Sequence, residues 1–264
     1  MTRQAVALWD AMPVERAAVG YADLIINRVE RRMPTDSWSI DWEDAPTDQK
    51  VYPSAQRLVL PDPAPGRGLL DDAADGLRGP ARADVLSDLL HLSYGLLSQR
   101  SRVNCNDHPE VLAEAGHYRW GRGAASGGGR YTVSVYRVVG RRADLAPGIY
   151  HYSPVHHAWD VLALGDHTAA VAAAQGYPRT GDDYLLLTVD YWQSGFKYND
   201  FAYQATSMDI GTLLGTWRYL LGERRDQVRP DMWVDEEALA AAQAEQDPLA
   251  AQRVVQDALL GCMA

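Results

Sequence analysis

Lys197 and Tyr198 lie side by side in the sequence, between a short apolar run at residues 184–189 and a longer segment with helical periodicity at residues 210–221. The apolar run is typical of an interior strand, and the periodicity predicts a helix. The pair is therefore predicted to lie on the segment that connects the two, where α/β proteins often place their binding sites. A lysine ammonium there can stabilise negative charge on an electron-poor ring, and a phenol whose pKa that cation lowers can move a proton.

The residues around this pair are rich in aromatic side chains, although the whole chain contains only two phenylalanines. Such side chains can form a slot for flat rings, or they can be ordinary core. Taken alone, the pair would be interpreted more simply, as a surface lysine beside a packing tyrosine. The aromatic residues are Tyr191, Trp192, Phe196, Phe201 and Tyr203.

A run of three glycines, Gly127, Gly128 and Gly129, precedes residues 131–139, whose β-branched and aromatic side chains predict a strand. Glycines let a ligand approach the main chain closely, and a row of exposed N–H groups can bind a phosphate or the polar edge of a ring. Spacing alone favours a flexible turn instead. The run is neither a Walker loop nor a Rossmann fingerprint, because no Gly-Lys-Ser/Thr follows it and a strand comes next.

Three blocks of sequence stand in a specific order around these residues. Residues 125–131 read ASGGGRY, residues 145–152 read LAPGIYHY, and the Lys-Tyr pair continues through Asp200-Phe201 into SMDIGTLLGTW at residues 207–217. In this order and spacing they resemble the FMN-dependent azoline dehydrogenases. These are nitroreductase-like enzymes that oxidise thiazolines and oxazolines in ribosomally made peptides. The resemblance runs from about residue 86 to residue 233, a little over half of the chain.

The resemblance implies an α+β, nitroreductase-like fold, with a central, mainly antiparallel sheet flanked by helices and a helical N-terminal extension. It also implies FMN bound at the interface of a homodimer, an azoline-containing precursor peptide as substrate, and a cyclodehydratase as a partner. Tyr198 would be the base, with Lys197 lowering its pKa or acting directly. The sequence leaves open which of the two moves the proton.

The same resemblance assigns the FMN contacts to the glycine segment, namely Ser126, Gly127, Gly128, Gly129 and Arg130. Nitroreductase-like proteins usually hold the FMN phosphate with an Arg-Arg-Ser-x-Arg-like motif near the start of the flavin domain. Residues 69–82 offer only Arg78 and Arg82 in an acidic setting. The phosphate ligand is therefore left open among four other arginines, Arg100, Arg102, Arg122 and Arg130.

The chain divides into two predicted parts. Residues 1–80 form a helical N-terminal extension and a wrapping segment rich in Pro, Asp and Gly, whose extended piece is residues 51–60. Residues 81–264 form the nitroreductase-like FMN domain. Residues 249–264 look helical, unlike the final strand that many relatives exchange across their dimer, which predicts an altered dimer or a second subunit that completes the site. Helices are predicted at residues 14–33, 86–97 and 168–175, and strands at residues 131–139, 148–152, 158–163 and 184–189.

Composition limits the classes of function. The chain has 264 residues, of which 47% are hydrophobic and 23% charged, which is ordinary for one globular core. A net charge of −10 disfavours nucleic acid as a partner, because it repels phosphate backbones. No apolar run approaches the roughly 20 residues that span a bilayer, and no leader peptide is evident. We therefore expect a cytoplasmic protein without a membrane partner.

The two cysteines, Cys105 and Cys262, lie far apart and have no histidine at metal-ligand spacing. Free thiols are expected, with neither a disulfide framework nor a metal site. The adjacent His156 and His157 suggest a metal only weakly, because neighbouring residues of a strand point to opposite faces. We interpret them as partly exposed residues of a turn.

Two other functional classes fit the same sequence. One is a flavin oxidoreductase that acts on another substrate, such as a cyclic dipeptide or a quinone. The other is a degenerate homologue that has lost FMN and serves as a scaffold in a biosynthetic complex, which the missing phosphate motif supports. The Lys-Tyr pair argues against a scaffold, and an absorbance spectrum would separate the scaffold from either enzyme.

Overall fold

A five-stranded antiparallel sheet lies at the centre of the part of the chain that the structure, a computed structural model, describes. That part comprises residues 14–30, 39–62, 83–101, 118–175 and 183–222. The helices are α1 (Val14–Ile26), α2 (Ala83–Tyr94), α3 (Thr168–Ala174), α4 (Trp192–Tyr198) and α5 (Ala202–Leu221). The strands are β1 (Gln56–Val59), β2 (Ser98–Ser101), β3 (Tyr118–Gly121), β4 (Val133–Val139), β5 (Gly148–Ser153), β6 (Ala158–Leu164) and β7 (Asp183–Val189).

The large sheet has the strand order β1-β6-β5-β4-β7, and β2 pairs with β3 in a separate two-stranded sheet. All of these pairings are antiparallel. The predicted α+β class with a mainly antiparallel central sheet is confirmed. It arises from short runs of β-branched and aromatic residues separated by turns, which favour strands that pair with their sequence neighbours.

The larger core lies between one face of the sheet and helices α2 and α5. Val135 and Trp159 project from the sheet into this core, where they meet Leu213 and Trp217 of α5. The indole nitrogen of Trp217 donates a hydrogen bond of 2.8 Å to Ser93 Oγ on α2. The four-residue spacing on α5 therefore fixes that helix against both α2 and the sheet, and this determines where its other side chains point.

The opposite face of the sheet has a smaller apolar core beneath α3. Val138 and Ile149 pack there against Val171 and Ala174 of the helix. Alternate residues of β4 and β5 thus enter different cores, as the period of two in a strand requires. Both faces of the sheet therefore carry apolar side chains that are buried against helices.

Strand β7 corrects one prediction. The apolar run at residues 184–189 was expected to be an interior strand, but β7 is an edge strand that pairs with β4 alone among the described residues. Leu185 and Leu187 pack into the larger core, whereas Tyr184 and Leu186 pack beneath α3. A continuous apolar run indicates that both faces of a strand are packed against other elements. It does not indicate whether the strand is hydrogen-bonded on one side or on both.

Strand β1 joins the same sheet from the other side. Its residues lie within the segment predicted to wrap the domain, and they pair with β6 so that Leu58 stands opposite Trp159. The Arg57 side chain donates to Asp160 on β6 at 3.0 Å. The main-chain N–H of Leu60 then donates to the carbonyl of His157 at 3.0 Å. This piece therefore belongs to the central sheet by hydrogen bonding, although it precedes residue 81.

Helix α1 docks on the start of α5. The Tyr21 hydroxyl donates to the carbonyl of Asp200 at 2.9 Å and accepts the N–H of Gln204 at 3.2 Å. The helix ends at Ile26, earlier than the predicted end at residue 33, and Val29 is 92% exposed. The helical spacing of apolar residues in the sequence includes Val29, but Val29 lies in the turn after the helix, so the predicted helix was too long.

Several expectations lie outside the described residues. They concern the carboxyl end from residue 223 onward, Arg102, Cys105 and Cys262. His156 and His157 do lie in the turn between β5 and β6, exposed and half-buried respectively, as predicted. Among the helices that the structure describes, none is long and apolar enough to cross a membrane.

Candidate functional site

Lys197 and Tyr198 form the last two positions of helix α4. The connection between β7 and α5 is thus itself helical, whereas the sequence predicted only a connecting segment. The N–H groups of Ser194 and Gly195 bond to the carbonyl of Tyr191 and start the helix. The helix ends at Asn199, whose φ of 46° is tolerated by asparagine better than by most residues. The short helix therefore places the side chains of Lys197 and Tyr198 together at its carboxyl end.

The glycine loop at residues 126–131 lies directly against this pair. Gly127–Gly129 form a 3-10 turn in which Gly128 has a φ of 62°. A Cβ atom added to Gly128 would lie 1.9 Å from the Tyr198 hydroxyl oxygen and 3.3 Å from Lys197 Nζ. The absence of a side chain at Gly128 is what allows Tyr198 to occupy this position. The two sequence motifs therefore meet in one site.

A buried carboxylate, Asp209 of α5, holds the glycine loop in place. It accepts hydrogen bonds from Ser126 Oγ at 2.6 Å, from the N–H of Gly127 at 2.8 Å and from Thr132 Oγ1 at 3.1 Å. Asp209 is only 5% exposed. Sequence reasoning gave this residue no role of its own. The sequence signal for this residue was a carboxylate four residues before Leu213, on the face of the helix that carries the apolar residues of the core.

The hydrogen bonds within the loop change what its main chain can offer to a ligand. Besides the Asp209 contact, the N–H of Gly129 donates to the Ser126 carbonyl, and the N–H of Tyr131 donates to Ser126 Oγ at 2.7 Å. The row of unpaired donors expected from the three glycines is therefore not formed. Ser126 is engaged within the loop as well. At Gly129, with a φ of 66°, nothing lies within 4 Å of an added Cβ, so the loop presents an open surface without side chains there.

Arg130 points away from this surface. Its Nε donates to the carbonyl of Gln193 at 2.9 Å, and its Nη1 lies 3.3 Å from Asp48. Its guanidinium carbon lies 4.7 Å from the centre of the Phe196 ring, and the residue is 5% exposed. Arg130 therefore links the glycine loop to α4 and to the segment before β1.

Arg122 has a different setting, between two aromatic rings. Its guanidinium carbon lies 4.1 Å from the centre of the Tyr94 ring and 4.6 Å from that of Tyr131. Tyr131 has a φ of 51°, which is unusual for an aromatic residue. Its hydroxyl accepts the main-chain N–H of Arg122 at 2.9 Å. The loop conformation thus fixes the Tyr131 ring over Arg122, a pairing that the sequence did not suggest.

The structure does not describe the side chains of the other two arginine candidates. Arg100 lies on β2, where its main chain pairs with Arg119 of β3. Arg102 lies outside the described residues. Of the four phosphate candidates, the structure therefore places Arg122 and Arg130 next to the glycine segment, and Arg130 is already engaged with protein partners.

The aromatic residues near the pair divide between core and surface. Phe196 is 2% exposed and packs edge-on against Trp42, with ring centres 5.8 Å apart. Trp192, by contrast, is 45% exposed. Tyr191 and Tyr203 stack with parallel rings whose centres are 6.2 Å apart. Phe196 is therefore a core residue, whereas Trp192 lies at the surface.

A search of protein-family models and a search of curated proteins found no match. Among solved structures, a candidate nitroreductase from Anabaena variabilis aligns with a TM-score of 0.55 and 24% identity over 75% of this chain. The fold is nitroreductase-like. This chain spans only 37% of the length of the Anabaena protein.

Two further structures align more weakly. One is a candidate nitroreductase from Ralstonia eutropha, with a TM-score of 0.48 and 20% identity over 74% of this chain and 84% of that one. The other is the E. coli microcin synthetase complex McbBCD with truncated pro-MccB17 bound. It has a TM-score of 0.38 and 15% identity over 81% of this chain and 68% of that one.

Proposed function

We propose that this protein is a flavin-dependent oxidoreductase whose FMN ring lies on the open surface at Gly129, beside Gly128, Lys197 and Tyr198. The observation that carries the proposal is the contact of Gly128 with the Tyr198 hydroxyl and the Lys197 ammonium. A flat ring can approach the main chain closely where side chains are absent. The nitroreductase-like fold supports the same assignment.

The residues of the site suit an anionic, aromatic cofactor. The open space at Gly129 leaves room for a flat ring, and Lys197 Nζ supplies a positive charge at the edge of that space. The main-chain amides of the loop are largely engaged within the protein, so the ring would be held by contact and charge more than by a row of amides. When bound, FMN would accept the hydride that the substrate loses.

We propose an azoline ring in a modified precursor peptide as the substrate. This finer assignment depends on the sequence resemblance of residues 125–131, 145–152 and 197–217. Aromatising an azoline removes a proton from one ring carbon and a hydride from its neighbour. The proton can go to the Tyr198 oxygen or to the Lys197 nitrogen, since both atoms lie at Gly128. A homodimer and a cyclodehydratase partner belong to the same proposal.

The first test is the absorbance spectrum of the purified protein. We expect a yellow protein that releases FMN, and not FAD, on denaturation, identified by chromatography against both standards. A colourless protein that also fails to bind added FMN would remove both enzymatic hypotheses and leave the scaffold. Conversion of an azoline peptide, compared with a quinone and a cyclic dipeptide, then separates the proposed substrate from its alternatives.

The contact at Gly128 gives a second prediction. Gly128→Ala is expected to lose about 1–2 kcal/mol of unfolding free energy, because an L-residue is strained at positive φ. It should also lower the oxidation rate about 10²-fold, because the new methyl group displaces the Tyr198 hydroxyl and small misplacements of a catalytic group are costly. The measurements are urea denaturation and the rate of azoline oxidation.

Gly222→Ala is the matched control. Gly222 follows the end of α5 with a φ of 52°, so alanine is strained there as well, but without the contact to Tyr198. We expect destabilisation at least as large as that of Gly128→Ala, and a normal oxidation rate. Equal rates for the two variants would show that the position of Tyr198 at Gly128 is unimportant for catalysis.

A further inference from the structure

A polar cavity of about 120 Å³ lies beside the glycine loop, between the sheet and the segment that precedes β1. Lys50 lines it from that segment, and Arg122, Tyr131 and His151 line it from the body of the protein. Tyr131 belongs to both the cavity wall and the glycine loop. The cavity therefore adjoins the site described above and is large enough for several water molecules or one tetrahedral oxyanion.

Arg122 places its guanidinium group in the wall of this cavity. Its Nε is shielded from solvent and has no hydrogen-bond partner among the described residues. The rings of Tyr94 and Tyr131 lie within 5 Å of its guanidinium carbon, so the aromatic contacts hold the group in one orientation. A buried donor without a partner costs free energy, and a charged donor costs more. A guanidinium group held in one orientation in a cavity wall is placed to bind an acceptor such as an oxyanion.

The charges of the wall favour an anion. Burial raises the pKa of Tyr94 to about 12, with Arg122 opposing the rise, and burial also raises the pKa of Tyr152 against the same cation. Both phenols are therefore protonated near neutral pH, and neither neutralises Arg122. The neighbouring rings therefore leave the positive charge of Arg122 available to attract an oxyanion.

The two carboxylates of the wall have partners of their own. Asp48 pairs with Arg130 at 3.3 Å, and Asp190 accepts the main-chain N–H of Gln193 at 3.3 Å. Lys50 adds a second positive charge to the wall. The wall thus carries two cations and two carboxylates, and one of those carboxylates, Asp48, is paired with a third cation, Arg130.

We propose that this cavity binds a phosphate group and that Arg122 is its principal ligand. This proposal rests on the proposed function, under which the bound group is the phosphate of FMN. Tyr131 belongs both to the cavity wall and to the loop that carries the proposed ring surface, so one FMN molecule would reach both. Arg122 would then replace the arginine motif that residues 69–82 do not contain. Free inorganic phosphate has the same chemistry, so the test must distinguish the two sources.

The test compares FMN with riboflavin, which lacks only the phosphate. Dissociation constants are measured by quenching of flavin fluorescence, after any bound flavin has been removed. We expect Arg122→Gln to weaken FMN binding roughly 10- to 100-fold, the range for hydrogen bonds to a charged group, and to leave riboflavin binding unchanged. Arg122→Lys should give an intermediate loss, since it keeps the charge without the planar fork.

Arg141→Gln is the matched control, because Arg141 is 83% exposed and lies 3.5 Å from Asp166, outside the cavity wall. It should leave the binding of both flavins unchanged. Near-UV circular dichroism of Arg122→Gln checks that Tyr94 and Tyr131 keep their packing. Equal weakening of FMN and riboflavin, or no weakening of either, would overturn the phosphate assignment.

A second measurement does not require flavin. We expect inorganic phosphate to raise the melting temperature of the wild-type protein and not that of Arg122→Gln, because a ligand stabilises the state that binds it. If the wild-type protein binds neither flavin, the proposed function is wrong. The effect of phosphate on the melting temperature then shows by itself whether the cavity binds phosphate. Protection by phosphate would then identify a site for free phosphate, and its absence would show that the cavity holds water only.

Discussion

Tyr198→Phe is expected to slow azoline oxidation by about 10²–10⁴-fold, the usual contribution of a positioned acid or base. The substitution removes only the hydroxyl that lies at Gly128, and it keeps the ring that packs edge-on against Phe201 at 6.3 Å. The fold and the bound flavin should therefore persist. Two assays on an azoline peptide test this: a mass-spectrometric count of the two-hydrogen loss, and bleaching of the flavin without oxygen.

Lys197→Ala is expected to show a comparable loss, because it removes the charge at the edge of the ring surface. Lys197→Arg distinguishes the two roles that the sequence left open for the lysine, namely a positive charge that assists Tyr198 and a base that takes the proton itself. If the lysine supplies only charge, arginine should retain much of the rate. If the lysine amine is the base, arginine should be as slow as alanine, since its guanidinium does not lose its proton.

Tyr219→Phe is a matched control for the tyrosine, because Tyr219 is 59% exposed near the end of α5. We expect a normal rate for this variant. Normal rates for both Tyr198→Phe and Lys197→Ala would show that the pair is structural, and the catalytic assignment would be wrong.

Asp209→Ala is expected to lower the free energy of unfolding by about 3 kcal/mol or more. The carboxylate accepts hydrogen bonds from Ser126, Gly127 and Thr132, and each hydrogen bond to a charged group typically contributes about 1.5–3 kcal/mol. Without it, buried donors of the glycine loop lose their acceptor. The loop should also release its hold on Tyr131, so FMN binding should weaken together with stability.

Urea denaturation and flavin titration measure the two effects. Asp209→Asn should be milder than Asp209→Ala, because an amide oxygen can still accept the Gly127 N–H while its NH2 group cannot accept from the hydroxyls. Asp200→Asn, at an exposed position, should change stability little. Wild-type stability and flavin affinity for Asp209→Ala would contradict the role of this residue as the support of the loop.

Local patterns in the sequence were sufficient to predict most elements, and the family resemblance of three sequence blocks supplied the fold class. The strands at residues 148–152 and 158–163 and the helix at residues 168–175 appear within one or two residues of their predicted ends. Periodicity works here because each strand or helix must place apolar side chains toward a core, and the spacing of those side chains is set by the backbone. Edge positions were not predictable, since β7 packs side chains into both cores and yet pairs with one strand only among the residues that the structure describes.

The sequence also identified the Lys-Tyr pair and the glycine loop as separate motifs. Only the tertiary structure shows that Gly128 contacts Tyr198 and that Arg122 lies between two aromatic rings. It also shows that Asp209 accepts hydrogen bonds from loop donors that were expected to bind a ligand. These are contacts between residues far apart in the chain. They depend on how α5 and the sheet pack, and no local propensity encodes which donor meets which acceptor across a core.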